Sequence, residues 1–182
     1  MQLDYTQYTT ESSKCRHLFR QYCQGIGIDL GSQGEPAFPW LWSLDLPPDE
    51  FAYYNSNNPP RGPIQLRGTA RKLPIDTESL DVVVSSHLLE DFPEEEWPAL
   101  FMEWSRVIKP GGHLVILIPD KDLWKAALDK GQPPNCAHRR EGEPGLMSRY
   151  AALSQMEIIE DRLTNCFEGD YTILGVFRKP LV

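Results

Sequence analysis

The chain has 182 residues, of which 41% are hydrophobic, which suits one domain with a single substantial core. Its formal net charge of −8 argues against nucleic acid as the default partner, because phosphate binding needs clustered Lys and Arg. No apolar run approaches the roughly 20 residues of a membrane span, and the polar first residues do not resemble a signal peptide. We therefore expect a cytoplasmic protein that makes no contact with a membrane.

The cysteines are spread along the chain without the paired spacing of zinc sites and disulfide frameworks. They are Cys15, Cys23, Cys136 and Cys166. This pattern predicts reduced cysteines and no metal site.

The first recognisable element is an apolar stripe at helical spacing. It is formed by Cys15, Leu18, Phe19 and Tyr22. Ser12 or Ser13 can serve as the N-cap, and Gly25 ends the helix. We predict that residues 1–24 form a helical cover that packs on a sheet or over a ligand cleft, with core packing favoured.

A glycine turn follows in the sequence QGIGIDLGSQG, residues 24–34. Its alternating isoleucines and leucine predict a short buried strand with Asp29 near its end, and Gly31 and Gly34 come directly after it. Glycine permits positive φ and allows a ligand to approach the backbone closely. The segment is typical of the nucleotide-binding edge of an α/β sheet.

The connection to the second strand is unusually short. Only about ten residues separate Gly31 from the next apolar run, residues 41–45, whereas a parallel crossover usually takes a dozen or more and includes a helix. A loop or a single turn is therefore expected here, which disfavours NAD and FAD because their pyrophosphate rests on the missing helix. Asp45 ends the second strand, where an acid can grip a ribose diol; an exposed turn aspartate is the alternative.

The remaining segments continue the alternation of strands and helices. Strands are predicted at residues 64–67, 81–86 and 113–118, and a terminal antiparallel pair at 158–163 and 171–177. Helices are predicted from Trp97 to the stop signal Lys109-Pro110-Gly111-Gly112, and near residues 123–128 and 147–153. The pattern predicts one α/β domain over residues 1–182: a three-layer sandwich around a Rossmann-like, mainly parallel seven-stranded sheet whose last strand is antiparallel.

A long polar segment separates the fifth strand from the last helix. Within residues 120–147, the stretch KGQPPNCAHRREGEPG is rich in Pro, Gly and charge. A long loop at the carboxyl end of a central strand is usually functional or disordered. We predict a mobile cover on the acceptor side of a cleft, with His138, Arg139 and Arg140 as its contact residues.

Taken in order, these segments resemble the class I S-adenosylmethionine-dependent methyltransferases, especially the small type-11-like group. The resemblance runs from about Gly25 to Lys179. Its most specific parts are LPIDTESLDVVVSSHLLEDF and RVIKPGGHLVILIPD, the second of which is similar to the family pattern RVLKPGGxLxI. The turn DLGSQGEP also resembles the DIGxGGxP turn of a subgroup without the first crossover helix.

The resemblance implies S-adenosylmethionine as the cofactor and assigns roles to residues in each strand-end loop. The methionine end would be lined by Asp29, Gly31, Ser32, Gln33 and Gly34. The ribose would be held by Asp45, the adenine flanked by Thr69 and Ala70, and the floor near the sulfonium formed by Ser86 and His87. Gln33 stands where the family usually has glycine and Thr69 where an aspartate is common, so we expect weaker cofactor binding; a lost charge-assisted hydrogen bond costs ~1.5–3 kcal/mol.

Methyl transfer depends mainly on aligning the acceptor with the methyl group, and a base is needed only where the acceptor must lose a proton. His87 and His138 are the candidate bases, although a structural role for each histidine stays open. We predict a methyltransferase acting on an O or N atom of a small-molecule acceptor. The alternative is a degenerate methyltransferase-fold protein that acts as a non-catalytic partner or regulatory subunit, and a homodimer or a protein partner is left open.

Overall fold

A seven-stranded sheet forms the centre of the computed structural model, which describes residues 11–55, 59–166 and 168–181. Its strands are β1 Gly27–Leu30, β2 Trp42–Asp45, β3 Leu66–Arg67, β4 Leu80–Ser86, β5 Ile108–Pro119, β6 Glu157–Leu163 and β7 Thr172–Arg178. The order across the sheet is β3-β2-β1-β4-β5-β7-β6. Strands from β3 to β5 pair in parallel, and β7 pairs antiparallel with both β5 and β6. The predicted sheet, with its antiparallel last strand, is confirmed.

The helices lie where the apolar periodicity predicts them, with one addition. They are α1 Glu11–Phe19, α2 Pro48–Tyr54, α3 Trp97–Val107, α4 Lys121–Asp129 and α5 Leu146–Leu153. The additional helix, α2, was not among the predicted helices, and its first turn carries the favourable set Pro48, Asp49 and Glu50. Residues 1–10 of the predicted helical cover lie outside the described residues. Among the helices described, none is both long and apolar enough to cross a bilayer.

Side chains of the central strands alternate between two apolar clusters, one on each face of the sheet. Val83 of β4 packs in the cluster that contains Trp97 and Trp104 of α3. Its neighbours Val82 and Val84 point into the other cluster, which contains Phe19 of α1. Helices therefore cover both faces of a central sheet, which is the predicted three-layer sandwich.

The junction between α3 and β5 differs from its prediction. The helix ends at Val107, but the strand begins directly at Ile108 and includes the Lys-Pro-Gly-Gly segment that was expected to separate the two. Gly111 adopts a φ of +82°, and a Cβ on Gly112 would lie 2.7 Å from the Asp81 carbonyl oxygen. These glycines let the chain run close beside β4 through an irregular register, so the segment is part of the sheet.

The short crossover between β1 and β2 is confirmed as a loop. Residues 31–41, all described, contain turns and no helix. The Glu35 N–H donates to the Ser32 carbonyl at 2.9 Å, and the Ala37 N–H donates to Asp29 Oδ2 at 2.6 Å. The buried Asp29 carboxylate therefore holds this loop in position. The loop lacks the helix N-terminus on which the pyrophosphate of a dinucleotide would rest.

Candidate functional site

A cleft of about 260 Å³ opens at the carboxyl ends of β1, β2 and β4. This edge is where open α/β sheets place their ligands. Six residues predicted to contact the cofactor line it together: Gly31, Gln33, Asp45, Thr69, Ala70 and His87. The cleft is slightly smaller than the roughly 300–1,000 Å³ of typical small-molecule sites.

The turn after β1 has positive φ at Gly31 and also at Gln33, which stands where the family usually has glycine. Gly31 has a φ of +68° and donates its N–H to the Leu44 carbonyl at 2.9 Å. Gln33 has a φ of +54°, in the left-handed region that costs a residue with a side chain roughly 1–2 kcal/mol. Because Gln33 also lines the cleft, the substitution leaves the turn intact but introduces a side chain at the expected methionine end.

The rest of this turn packs against residue 62 and is hydrogen-bonded to β2. A Cβ on Gly34 would lie 2.1 Å from the Gly62 carbonyl oxygen, and a Cβ on Gly62 would lie 2.3 Å from the Gly34 carbonyl oxygen. Ser43 Oγ accepts the Gly34 N–H at 3.1 Å and lies 2.6 Å from Ser32 Oγ. Ser32 and Gly34 are not among the residues that line the cleft; in this structure they hold the turn against β2 and residues 61–62.

Asp45, the residue predicted to hold the ribose, lines the cleft at the end of β2. It is 8% exposed, and its carboxylate accepts the Leu46 N–H at 2.9 Å and the Gln33 N–H at 3.0 Å. Burial raises the pKa of Asp45, while these two hydrogen bonds and the charge of Arg67 oppose the rise. A carboxylate has about four lone-pair sites, so capacity for two hydroxyl donors remains.

Asp29 lies behind the cleft and does not line it. The residue is 1% exposed, and its carboxylate accepts the Ala37 N–H of the crossover loop. Burial raises the pKa of Asp29 to about 7, with a smaller contribution from the charge of Asp45. In this structure the side chain acts on the loop, so direct contact with the cofactor stays a prediction.

The residues of the predicted adenine slot are held by α3 and by β2. Trp104 Nε1 of α3 donates to the Ala70 carbonyl at 2.9 Å, and the Gly68 N–H donates to the Asp45 carbonyl at 3.0 Å. Thr69 and Ala70 share the cleft with the apolar side chains Leu88 and Phe92. Binding of adenine between these residues stays a prediction.

Both candidate catalytic histidines lie beside one buried glutamate, Glu90, whose carboxylate oxygens accept no hydrogen bond from the described residues. His87 Nδ1 lies 3.2 Å from Glu90 Oε1, and His138 Nε2 lies 3.8 Å from the same oxygen. Glu90 is fully buried and was not among the predicted site residues. His87 lines the cleft; His138 does not, and it contacts Glu141 at 3.4 Å and the Trp124 ring on its other sides. The spacing of Glu90, three residues after His87 in a 3₁₀ turn, was the available signal for this contact.

Ser86, the remaining predicted cofactor contact, ends β4 opposite Leu117 and is not among the cleft-lining residues. Asp91, by contrast, lines the cleft and was not among the predicted site residues. Both differences follow from the turn after β4. There His87 adopts a φ of +51° and donates its N–H to the Leu117 carbonyl at 2.8 Å.

The polar segment after α4 is anchored at one end. The Arg139 and Arg140 N–H groups donate to the Glu90 carbonyl at 2.7 and 3.1 Å, and Arg140 Nε contacts Glu94 Oε2 at 2.8 Å. Gly142 donates its N–H to the Pro119 carbonyl at 2.8 Å. The sequence predicted a mobile segment, but residues 139–142 are hydrogen-bonded to Glu90, Glu94 and Pro119, while residues 131–136 are exposed. Its mobility stays a prediction.

Comparisons with known proteins agree with this geometry. The family model described as "Methyltransferase domain" matches residues 33–116. A phthiotriol/phenolphthiotriol dimycocerosates methyltransferase of Mycobacterium leprae is 37% identical over 71 residues, which are 39% of this chain and 26% of that protein. The chain therefore aligns with about a quarter of that curated relative.

Two solved structures share the fold at low identity. A SAM-dependent methyltransferase of Thermotoga maritima has a TM-score of 0.66 at 18% identity, covering 92% of this chain and 88% of that one. A Haloferax volcanii methyltransferase in complex with the Trm112 methyltransferase activator has a TM-score of 0.63 at 15% identity, covering 93% and 90%. At these identities the likeness establishes the fold alone.

Proposed function

Starting from the confirmed resemblance of this chain to class I S-adenosylmethionine-dependent methyltransferases, we propose that it transfers a methyl group from S-adenosylmethionine to an O or N atom of a small molecule. The observation that carries the proposal is the composition of the cleft. A glycine turn, a strand-end acid and an apolar slot line it together, and the crossover that leaves it has no phosphate-binding helix. S-Adenosylmethionine needs each of these features and has no phosphate.

The residues present fit that cofactor. Asp45 would accept the ribose hydroxyls with its remaining lone pairs, and Thr69 and Ala70 would flank the adenine. The turn at Gly31 and Gln33 would face the amino-acid end. The cofactor supplies an electrophilic methyl group on a sulfonium, so the chain has mainly to bind it and to orient an acceptor in line with that group.

His87 is the residue best placed to handle a proton on the methyl side of the cleft. It follows β4 directly, lines the cleft and contacts the buried Glu90. For a hydroxyl acceptor, His87 would take the proton as the oxygen attacks, and the Glu90 carboxylate would hold and stabilise the protonated ring. His138, on the other side of Glu90, would support the same carboxylate from the polar segment.

Calorimetric titration with S-adenosylmethionine, its demethylated product and NAD tests the proposal. We expect both methionine-derived ligands to bind with one site each and NAD to give no heat. Binding of NAD in preference to the other two would contradict the cleft assignment. If both methionine-derived ligands bind, candidate acceptors can be screened by measuring the transfer of a radiolabelled methyl group to them.

A second candidate, a non-catalytic partner subunit, is favoured by the side chain at Gln33 inside a small cleft. A solved neighbour from Haloferax volcanii is a methyltransferase that forms a complex with an activator protein, which shows that this fold can take part in such pairs. If the protein binds no cofactor at millimolar concentration and Gln33→Gly restores binding, the partner role replaces the enzymatic one.

A further inference from the structure

Two cysteines that are distant in the sequence meet beside the turn between β6 and β7. Donor atoms of Cys15, Cys166 and Asp170 all lie within 4.8 Å of one another. Cys15 comes from α1, and the other two residues follow β6 and precede β7. Over the ranges described, no other group of three His, Cys, Asp or Glu residues converges in this way. The two cysteines therefore lie close together in the fold although their spacing in the sequence gives no sign of it.

The surroundings of the cluster are closed and largely apolar. Cys15 is 1% exposed and belongs to the apolar cluster of α1, against which Cys166 packs. Asp170 is 8% exposed. Neither cysteine forms a disulfide bond. Three groups that can ligate a metal ion are thus held together in largely apolar surroundings.

The carboxylate is oriented by its own hydrogen bonds. Asp170 Oδ2 accepts the Thr164 hydroxyl and, at 2.8 Å, the Cys166 N–H, while Oδ1 accepts the Thr172 N–H at 3.0 Å. These use three of the roughly four lone-pair sites of a carboxylate and leave one for a metal. Metal-ligating carboxylates are commonly fixed by outer hydrogen bonds of this kind.

We propose that Cys15, Cys166 and Asp170 bind a zinc ion that joins α1 to the β6–β7 turn. Two thiolates and one carboxylate are a donor set suited to zinc, and unsuited to magnesium or calcium, which take oxygen ligands. Zn–S bonds of about 2.3 Å in a tetrahedron place two sulfurs roughly 3.8 Å apart, so the two sulfurs need to approach each other by at most about 1 Å. Binding releases two thiol protons, and a water fills the fourth position.

The site has a structural consequence for the cleft. Asp170 directly precedes Tyr171, whose ring stands edge-on to His87 with centroids 6.2 Å apart. A zinc ion at Asp170 would therefore fix the N-terminal helix to the turn that supports the methyl side of the cleft. This inference does not depend on methyl transfer, because metal binding is measured without cofactor or acceptor.

The test is titration of the reduced, metal-free protein with Zn²⁺ against a chromophoric chelator, with Cd²⁺ as an optical probe of thiolate ligation. We expect one equivalent of Zn²⁺, release of two protons and a cadmium–thiolate charge-transfer band. Cys166→Ala and Asp170→Asn should weaken zinc binding, the first by at least about 100-fold. Cys166 is only half-buried, so its variant avoids the folding risk of Cys15→Ala.

Two matched cysteines serve as controls. Cys23 is buried in the same apolar cluster as Cys15, and Cys136 is exposed, and neither belongs to the triad. Cys23→Ala and Cys136→Ala should keep the affinity of the wild type. Absence of stoichiometric zinc binding in the wild type, binding that survives Cys166→Ala, or loss of binding in Cys136→Ala would each overturn the proposal.

Discussion

Replacing the buried Asp29 by asparagine should flatten the pH dependence of stability. The pKa of this carboxyl is about 7 in the folded chain against an ordinary 3.8, because burial opposes its charge. The folded state therefore holds the proton more strongly than the unfolded state does. The free energy of unfolding should fall by up to about 4 kcal/mol as pH rises from about 4 to about 7, and it should stay level at higher pH.

Asparagine keeps the shape of the side chain and an oxygen that can accept the Ala37 N–H, but it carries no charge. We expect Asp29→Asn to show a smaller fall than the wild type; the raised pKa of Asp45 leaves part of it in place. Above pH 7 the variant should exceed the wild type by about 2–3 kcal/mol, after about 1 kcal/mol is subtracted for a weaker hydrogen bond to Ala37. Urea unfolding between pH 5 and pH 8.5 measures both curves.

A carboxyl with the opposite shift provides the control. The hydrogen bond from Lys109 lowers the pKa of Asp81, so its contribution to stability is lost only as the pH falls into the acid range. Asp81→Asn should keep the neutral-range fall of the wild type. A wild type whose stability is level from pH 5 to pH 7, or an Asp29→Asn protein that is less stable than the wild type at pH 8, would refute the argument.

Three further substitutions test the cleft and its turn. Gln33→Gly should tighten S-adenosylmethionine binding by about tenfold in calorimetry, because it removes a side chain from the cleft at a residue whose backbone is left-handed; weaker binding would contradict this. Asp45→Ala should abolish measurable cofactor binding in the same assay, and an unchanged affinity would remove the ribose assignment. Gly62→Ala would place a Cβ 2.3 Å from the Gly34 carbonyl oxygen and should cost about 1–3 kcal/mol in urea unfolding, whereas a loss below about 0.5 kcal/mol would show that the two loops separate freely.

The sequence alone was sufficient for the architecture. The β-branched run from residue 82 to 84 is continuous, which suits a strand buried on both faces. The apolar residues of α3 follow a helical period, so both elements could be predicted from the local sequence. The absence of a crossover helix could also be predicted from the sequence, because too few residues separate Gly31 from the second strand to form one. The junction at Lys109–Gly112 was misplaced, since glycine and proline signal a change of direction without showing that the strand has already begun.

Only the tertiary structure decided which polar groups meet. Glu90 touches His87 and His138, which are 51 residues apart, and Cys15 meets Cys166 from the opposite end of the chain. Asp29 and Asp45 both end strands, yet one lies behind the cleft and the other lines it. Periodicity reports the face on which a residue lies, whereas the pairing of loops depends on how the strands are ordered and on which glycines allow close approach. That information resides in the packed fold and not in any local stretch of sequence.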